Sequence, residues 1–238
     1  MPSLAPLPPV PLILALDTSS SLGSVALARG GVLLKTRAFE ADHGHSQRLL
    51  PAIEGLFADA GVGVADVDLF AVVVGPGSFT GLRVSLASVR GLAGTRPCFG
   101  ALATDVAAWA ARGSGSRILA VTDLFHGEVF ASAYDEDGAL ISNRESGDLG
   151  SVLSALRGFV RAPAIATGSA ATKHRAEIEA AFPGIHVLAL DGGLAPHLVG
   201  LATAKASAKT TGPAGELLPF YLRDPLTRGL LSSQPRTK

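Results

Sequence analysis

An internal repeat restricts the fold of this chain more than any other feature of its sequence. In each half, a short apolar strand is followed by a polar loop, a second strand and a glycine turn. The first copy spans residues 13–18, 23–28 and 30–31, and the second copy spans 118–123, 127–132 and 137–138. The copies are 105 residues apart at the first strand and 104 residues apart at the second strand. A repeat with such a long period predicts two lobes of the same architecture.

Strands and helices alternate along each half of the chain. Short apolar runs separated by glycine predict a three-strand meander within residues 12–37. Apolar residues then recur at helical spacing in 45–60, and Gly61 is placed to end that helix. Further strands are predicted at 70–74, near Cys98, at 163–167 and at 186–190, and further helices at 78–93, 104–112, 172–181 and 196–207. The sequence therefore predicts an α/β fold in which each half reads βββαβα.

The positions of these predicted strands and helices divide the chain into four parts. We expect a flexible N-terminal tail at 1–11, an N-terminal lobe at 12–102, a C-terminal lobe at 103–210 and a C-terminal tail at 211–238. Basic residues outnumber acidic ones from Lys205 onward. The C-terminal tail is therefore interpreted either as a solvated segment or as one that touches RNA phosphates.

Composition and charge exclude several classes of protein. With 47% hydrophobic and 17% charged residues, the 238-residue chain is not a disordered polymer. Twenty basic residues balance twenty acidic ones, so no overall field attracts nucleic acid or an anionic membrane. No apolar run approaches the ~20 residues that span a bilayer, and the first eleven residues lack the pattern of a signal peptide. We therefore expect no membrane association and a cytoplasmic protein.

A polar loop directly after the first strand is the first candidate site. Asp17, Thr18 and Ser19 follow the apolar run at its carboxyl end. Hydroxyls, backbone amides and one carboxylate at such a point can hold phosphate oxygens or a hydrated magnesium ion. An ordinary turn with internal hydrogen bonds is the alternative. Asp123 occupies the equivalent loop of the second half, but the apolar neighbours Leu124 and Phe125 are unsuited to cradling a phosphate.

A glycine-rich block between a strand and a helix is the second candidate. Residues 75–81 read Gly-Pro-Gly-Ser-Phe-Thr-Gly, a place where free amides and the helix dipole favour an anion. The lysine of a P-loop is absent, because Leu82 and Arg83 follow the last glycine. We favour a packing role, in which Ser78 caps the helix and Gly81 and Gly91 let it approach a neighbour closely.

No set of residues in the sequence indicates a metal site or nucleophilic catalysis. His43 and His45 flank Gly44, a spacing that does not place two imidazoles on one helix face, and the other histidines are scattered. No serine lies in a Gly-x-Ser-x-Gly elbow. The single cysteine, Cys98, excludes an intramolecular disulfide and is expected to be a buried, inert thiol. We expect no catalytic residue, no metal and no cofactor.

An ordered set of short motifs closely resembles the TsaB family. The motifs are Leu-Ala-Leu-Asp-Thr-Ser at 14–19, Gly-Ser-Val-Ala at 23–26, His-Ser at 45–46 with Leu-Leu-Pro at 49–51, Gly-Pro-Gly-Ser-Phe-Thr-Gly-Leu-Arg at 75–83, Gly-Leu-Ala at 91–93, Gly-Glu-Val-Phe at 127–130 and Pro-Phe-Tyr-Leu-Arg at 219–223. The resemblance implies an actin-like ATPase-domain (ASKHA) fold of two ribonuclease-H-like lobes. It also implies a bacterial accessory subunit of the machinery that places threonylcarbamoyl on the adenosine beside the tRNA anticodon.

The resemblance further implies specific partners. The family's catalytic relative TsaD holds its substrate with a His-x-x-x-His metal pair, and residues 95–104 of this chain contain no histidine. The chain is then expected to bind and activate TsaD without turnover of its own, with the ATPase TsaE and tRNA joining through the complex. The helices at 45–60 and 78–93 are expected to form the interface, and the same surface is expected to make a homodimer when TsaD is absent. The interface residues expected to be exposed are Arg48, Ala52, Gly55, Arg83, Ser85 and Ser88.

Two other functions remain open at this point. One is a stand-alone enzyme of the actin-like superfamily, such as a small-molecule kinase or a peptidase, which would turn over by itself. The other is a direct tRNA-binding module, which the neutral net charge and the lack of interleaved aromatic and basic residues disfavour.

Overall fold

Two five-stranded sheets with the same strand order form the framework of the protein. The computed structural model describes residues 6–40, 44–125, 127–207 and 209–222. The strands of the first sheet are β1 (Leu12–Asp17), β2 (Leu22–Arg29), β3 (Val32–Glu40), β4 (Leu69–Gly75) and β5 (Cys98–Leu102). Those of the second are β6 (Arg117–Asp123), β7 (Glu128–Tyr134), β8 (Glu145–Asp148), β9 (Ala164–Thr167) and β10 (Ile185–Leu188). The orders β3-β2-β1-β4-β5 and β8-β7-β6-β9-β10 correspond strand by strand, as the internal repeat predicts.

The described residues form six α-helices, five of which lie between consecutive strands while the sixth follows β10. They are α1 (His45–Ala60), α2 (Phe79–Ala93), α3 (Ala103–Ala111), α4 (Leu149–Leu156), α5 (Arg175–Ala181) and α6 (Ala195–Lys205), with short 3-10 turns at Val64–Asp66 and Ala214–Glu216. Each half therefore reads βββαβαβα, one strand and one helix longer than the predicted unit. The sequence pattern located α1 at the correct residues, because its apolar spacing is regular and Gly61 ends it in the left-handed conformation.

The pairing of the strands corrects the alignment of the two repeats. Ile13 pairs with Ala28 in the first sheet, and Ile118 pairs with Tyr134 in the second. The second strands are thus offset by 106 residues and not by 104. The sequence alignment of the two repeats matched Gly23 with Gly127, the glycines that follow the loops. In the folded sheets, the equivalent residues of the second strands are those that pair with equivalent residues of the first strands.

The helices lie in three layers around the two sheets. The outer face of the first sheet packs against α1 and α2, and the outer face of the second packs against α4 and α5. Helices α3 and α6 lie between the sheets, where small side chains such as Ala107 and Ala202 let the two lobes approach each other. This central layer leaves the outer surfaces of α1 and α2 facing away from the second lobe.

The segment that follows α6 returns to the first lobe. Gly212 exchanges two backbone hydrogen bonds with Cys98, at 2.8 and 3.0 Å, and the Phe220 N–H donates to the Val74 carbonyl at 2.7 Å. Residues 211–222 of the predicted C-terminal tail thus pack on β4 and β5, while 223–238, including Arg223 of the family motif, lie outside the described residues. Within the described part of the chain, no helix is long and apolar enough to cross a membrane.

Candidate functional site

Asp17 ends β1 as a buried carboxyl group. Its Oδ1 accepts hydrogen bonds from the Ser19 N–H at 2.9 Å and from Ser19 Oγ at 2.7 Å. Its Oδ2 is buried and has no hydrogen-bond partner among the described residues. Burial raises the pKa of Asp17 above its usual 3.8, and the hydrogen bonds from Ser19 oppose that shift only in part. The geometry therefore favours a carboxyl group that holds its own loop.

The start of α2 clamps this loop from the side. Thr18 Oγ1 donates to the Gly81 carbonyl at 2.7 Å, and the Ser78 N–H donates to the Ser19 carbonyl at 2.7 Å. A Cβ at Gly81 would lie 1.9 Å from the Thr18 carbonyl oxygen, and one at Gly77 would lie 2.1 Å from that of Ser19. The hydroxyls of Thr18 and Ser19 are thus both used inside the protein. The arrangement is that of a closed turn.

The packing role predicted for the glycine-rich block is confirmed at the start of α2. Ser78 caps α2, because its Oγ accepts from the Gly81 N–H at 3.2 Å. The prediction for Gly91 is wrong, since it is exposed and a Cβ there would meet nothing within 4 Å. Of these two glycines, Gly81 makes a close backbone approach and Gly91 does not.

His45 is a member of this site that sequence reasoning missed. Its imidazole is buried, and Nε2 lies 2.8 Å from the Ser20 carbonyl oxygen. The first residue of α1 thereby ties that helix to the loop after β1. The motif His-Ser-x-x-Leu-Leu-Pro includes His45, but the contact between His45 and Ser20 joins residues 25 positions apart and cannot be inferred from the motif. His43 lies outside the described residues.

The equivalent loop of the second lobe is organised differently. Lys173 Nζ donates to Asp123 Oδ2 at 2.8 Å, and the Phe125 N–H donates to Asp123 Oδ1 at 2.9 Å. Asp123 is thus engaged by a lysine and a local turn, whereas Asp17 is buried and forms no salt bridge within the described part of the chain. His126 lies outside the described residues. The two loops share a position in the fold but not a chemical environment.

The predicted interface residues of α1 are on the outer surface. Arg48 is exposed, and Ala52 and Gly55 are partly buried. The Arg37 side chain, from β3, lies across this helix, and its Nη2 donates to Asp59 Oδ2 at 2.6 Å and to the Gly55 carbonyl at 3.4 Å. Sequence reasoning missed Arg37, because β3 brings it to α1 only in the folded sheet.

The predicted interface residues of α2 divide into two groups. Arg83 is exposed, with its guanidinium 4.1 Å from the centre of the Phe79 ring and its Nε donating to Tyr221 Oη at 3.2 Å. Ser88 is partly buried. The expected exposure of Ser85 is wrong, because its side chain is 0% exposed and its Oγ donates to the Leu82 carbonyl at 3.2 Å. Its position places it on the face of α2 that covers the sheet.

Groups that commonly bind metals or act as nucleophiles are dispersed. Among the residues that the structure describes, no three His, Cys, Asp or Glu side chains are clustered for a metal ion. Cys98 is buried, as predicted, and burial raises the pKa of its thiol to about 11. A thiol with so high a pKa is a poor nucleophile near neutral pH.

The sequence is similar to known proteins over about half of its length or less. The family model for TsaD, tRNA N6-adenosine threonylcarbamoyltransferase, matches residues 37–141. The tRNA threonylcarbamoyladenosine biosynthesis protein TsaB of Escherichia coli K12 is 34% identical over 131 residues, which cover 52% of this chain and 55% of that protein. Its counterpart in Haemophilus influenzae is 46% identical over 82 residues, 34% of each chain. The chain thus matches about half of these curated relatives or less.

Solved structures extend the similarity over most of the chain. YeaZ from Pseudomonas aeruginosa has a TM-score of 0.71 at 29% identity, covering 89% of this chain and 100% of that one. Component A of (R)-2-hydroxyglutaryl-CoA dehydratase from Acidaminococcus fermentans has a TM-score of 0.54 at 12% identity, over 83% of this chain and 98% of that one, and shows the fold alone. With the matching sheet orders, these similarities confirm the predicted actin-like fold of two ribonuclease-H-like lobes.

Proposed function

The chain belongs to the TsaB family, and from this premise we propose that it is a non-catalytic subunit in tRNA threonylcarbamoyladenosine biosynthesis. It binds and activates TsaD, which modifies the adenosine beside the anticodon, and the ATPase TsaE and tRNA join through that complex. In the absence of TsaD the chain pairs with itself. On this proposal the protein acts in the cytoplasm and uses no cofactor of its own.

The closure of the Asp17 loop is the observation that carries the proposal. In an actin-like fold, a working phosphate site at this position needs hydroxyls and amides directed at the ligand. Here the Thr18 hydroxyl donates to the Gly81 carbonyl, and the Ser19 hydroxyl and amide both donate to the Asp17 carboxyl group. Any cofactor-binding role of Asp17, Thr18 and Ser19 is accordingly vestigial. The activity is then exerted through a surface.

The outer faces of α1 and α2 are the surface we assign to TsaD. They pack together on one side of the first lobe, away from the layer between the sheets. The residues we assign to this interface are Arg48, Ala52, Gly55, Arg83 and Ser88. Ser85 is left out because it is buried.

Reconstitution from purified components tests this proposal. We expect the chain and TsaD to elute together, and tRNA modification with TsaE and ATP to require both. We also expect the isolated chain to hydrolyse neither ATP nor peptides. Turnover by the isolated chain at rates typical of enzymes, ~1 s⁻¹ or faster, would favour the stand-alone kinase or peptidase. A salt-sensitive gel shift of tRNA by the isolated chain would instead favour a direct tRNA-binding module.

Substitution of Asp17 by asparagine tests the vestigial role. The pKa of Asp17 is raised in the folded state, so its ionised form is disfavoured there. The resulting loss of stability develops as pH rises from 3.8 through the folded-state pKa and is complete above it. We therefore expect Asp17→Asn to melt at the same or a higher temperature at pH 7, with the difference disappearing on acidification.

The same variant separates structure from catalysis. We expect the complex that contains Asp17→Asn to keep its tRNA modification rate within about tenfold, because a vestigial group takes no part in the reaction. A loss of about 100-fold or more, with an intact fold and intact complex, would be in the range of acid–base catalysis and would contradict the proposal.

A further inference from the structure

A small groove lies between β3 and α1 on the surface assigned to TsaD. It has a volume of about 310 Å³. Its lining residues are Arg37, Ala38, Phe39, Arg48, Pro51 and Ala52. The Phe39 ring packs against the apolar core beneath the helix. The groove thus combines an apolar floor with guanidinium groups contributed by a strand and a helix.

Arg37 is held in place at one end of the groove. Asp59 and the Gly55 carbonyl both accept hydrogen bonds from its Nη2. Its Nε and Nη1 have no hydrogen-bond partner among the described residues, so part of the guanidinium fork stays available. A planar, fixed fork of this kind suits a carboxylate.

Gly55 is the residue that lets Arg37 lie there. A Cβ at this position would be 2.9 Å from Arg37 Cζ, closer than real Cβ contacts allow. Glycine is a poor residue for the interior of a helix, and Gly55 lies in the interior of α1. The helix thus carries an unfavourable residue at the one point where the guanidinium crosses it.

Arg48 supplies the second charge. It is exposed on α1, one turn before Ala52 and two turns before Gly55, so all three lie on one stripe of the helix. Two arginines around a small apolar floor are typical of protein interfaces, whereas RNA binding relies on wider arrays of cations.

We propose that this groove receives an acidic side chain of the partner, whose carboxylate lies between the Arg37 and Arg48 guanidiniums. The small residues Ala52 and Gly55 let the partner's helix approach α1, and the carboxylate fixes its register. This inference rests on the proposed function, because it assumes that TsaD binds at α1.

Charge reversal at Arg48 is the first test. We expect Arg48→Glu to weaken binding of TsaD about 30-fold or more, and the difference from wild type to shrink as KCl is raised. Arg161→Glu is the matched control, since Arg161 is exposed on the second lobe, and it is expected to bind as wild type does. Affinities are measured by isothermal titration of the full-length chains, with melting temperatures recorded for each variant.

Gly55→Ala is the second test, because it moves Arg37 without changing any charge. The added methyl group displaces the guanidinium while alanine favours the helix. We expect the variant to melt at the wild-type temperature or slightly above it, yet to bind TsaD about tenfold more weakly. Because Gly55 also faces the partner's helix, Arg37→Lys is the companion variant: it keeps the charge and Gly55 but removes the planar fork, and it is expected to lose affinity to a similar extent. A purely structural role of Arg37 predicts wild-type affinity in Arg37→Lys.

Each outcome of these tests has a separate meaning. Wild-type affinity for TsaD in both Arg48→Glu and Gly55→Ala would overturn the groove and leave the proposed function standing. A lack of binding by the wild-type chain would overturn both. Unchanged TsaD binding with weakened tRNA binding by the complex would assign the groove to RNA and would also overturn this inference.

Discussion

Replacing Gly81 by alanine is expected to lower the free energy of unfolding by about 3 kcal/mol, because the new methyl group has no space. Its Cβ would lie 1.9 Å from the Thr18 carbonyl oxygen, which belongs to the backbone of a buried loop. The start of α2 must therefore move away from β1 and stretch the hydrogen bond between Thr18 Oγ1 and the Gly81 carbonyl. At ~2–4 °C per kcal/mol for a chain of this size, the melting temperature falls by about 6–12 °C.

Gly91 provides the matched control in the same helix. A Cβ there meets nothing within 4 Å, so alanine brings only its higher helix propensity. We expect Gly91→Ala to raise the free energy of unfolding by about 0.5–1 kcal/mol. Thermal or urea unfolding of both variants measures the difference. Equal melting temperatures for Gly81→Ala and the wild type would show that the close approach of α2 to the Thr18 loop is absent.

Ala52→Glu is expected to weaken binding of TsaD by about 100-fold and to reduce tRNA modification in parallel. Ala52 is the small residue at the middle of the α1 stripe, beside the groove and partly buried. A longer, charged side chain there separates the two helices, and its carboxylate competes with that of the partner for the Arg37 and Arg48 guanidiniums that line the same groove. The residue is accessible in the monomer, so the melting temperature is expected to stay within about 2 °C of wild type.

Ala155→Glu is the control for this substitution. Ala155 is exposed on α4, on the outer side of the second lobe, and the same change there is expected to leave TsaD binding intact. Co-elution and titration with TsaD measure both variants. Wild-type affinity in Ala52→Glu would place the interface away from α1. Ser85 does not serve as a probe of this surface, because a bulky residue at that buried position is expected to disrupt α2.

Local features of the sequence determined most of the secondary structure and the two-lobe plan. The boundaries of α1 follow from regular apolar spacing and from Gly61, and the start of α2 follows from the Ser78 cap. Both signals act within about one helical turn, so they can be identified without knowledge of the fold. Strand β8 had no such signal, because Glu145-Ser-Gly-Asp148 is a short polar edge strand.

Tertiary structure alone decided how these elements meet. Thr18 and Gly81 are 63 positions apart, and Arg37 and Asp59 are 22 apart, yet each pair is in hydrogen-bond contact. The helical pattern of α2 did not show that Ser85 is buried, because small residues fit either face. Sequence periodicity indicates which residues are shielded from water. Strand register, the close approach of α2 to the Thr18 loop and the position of Arg37 across α1 depend instead on distances that packing sets.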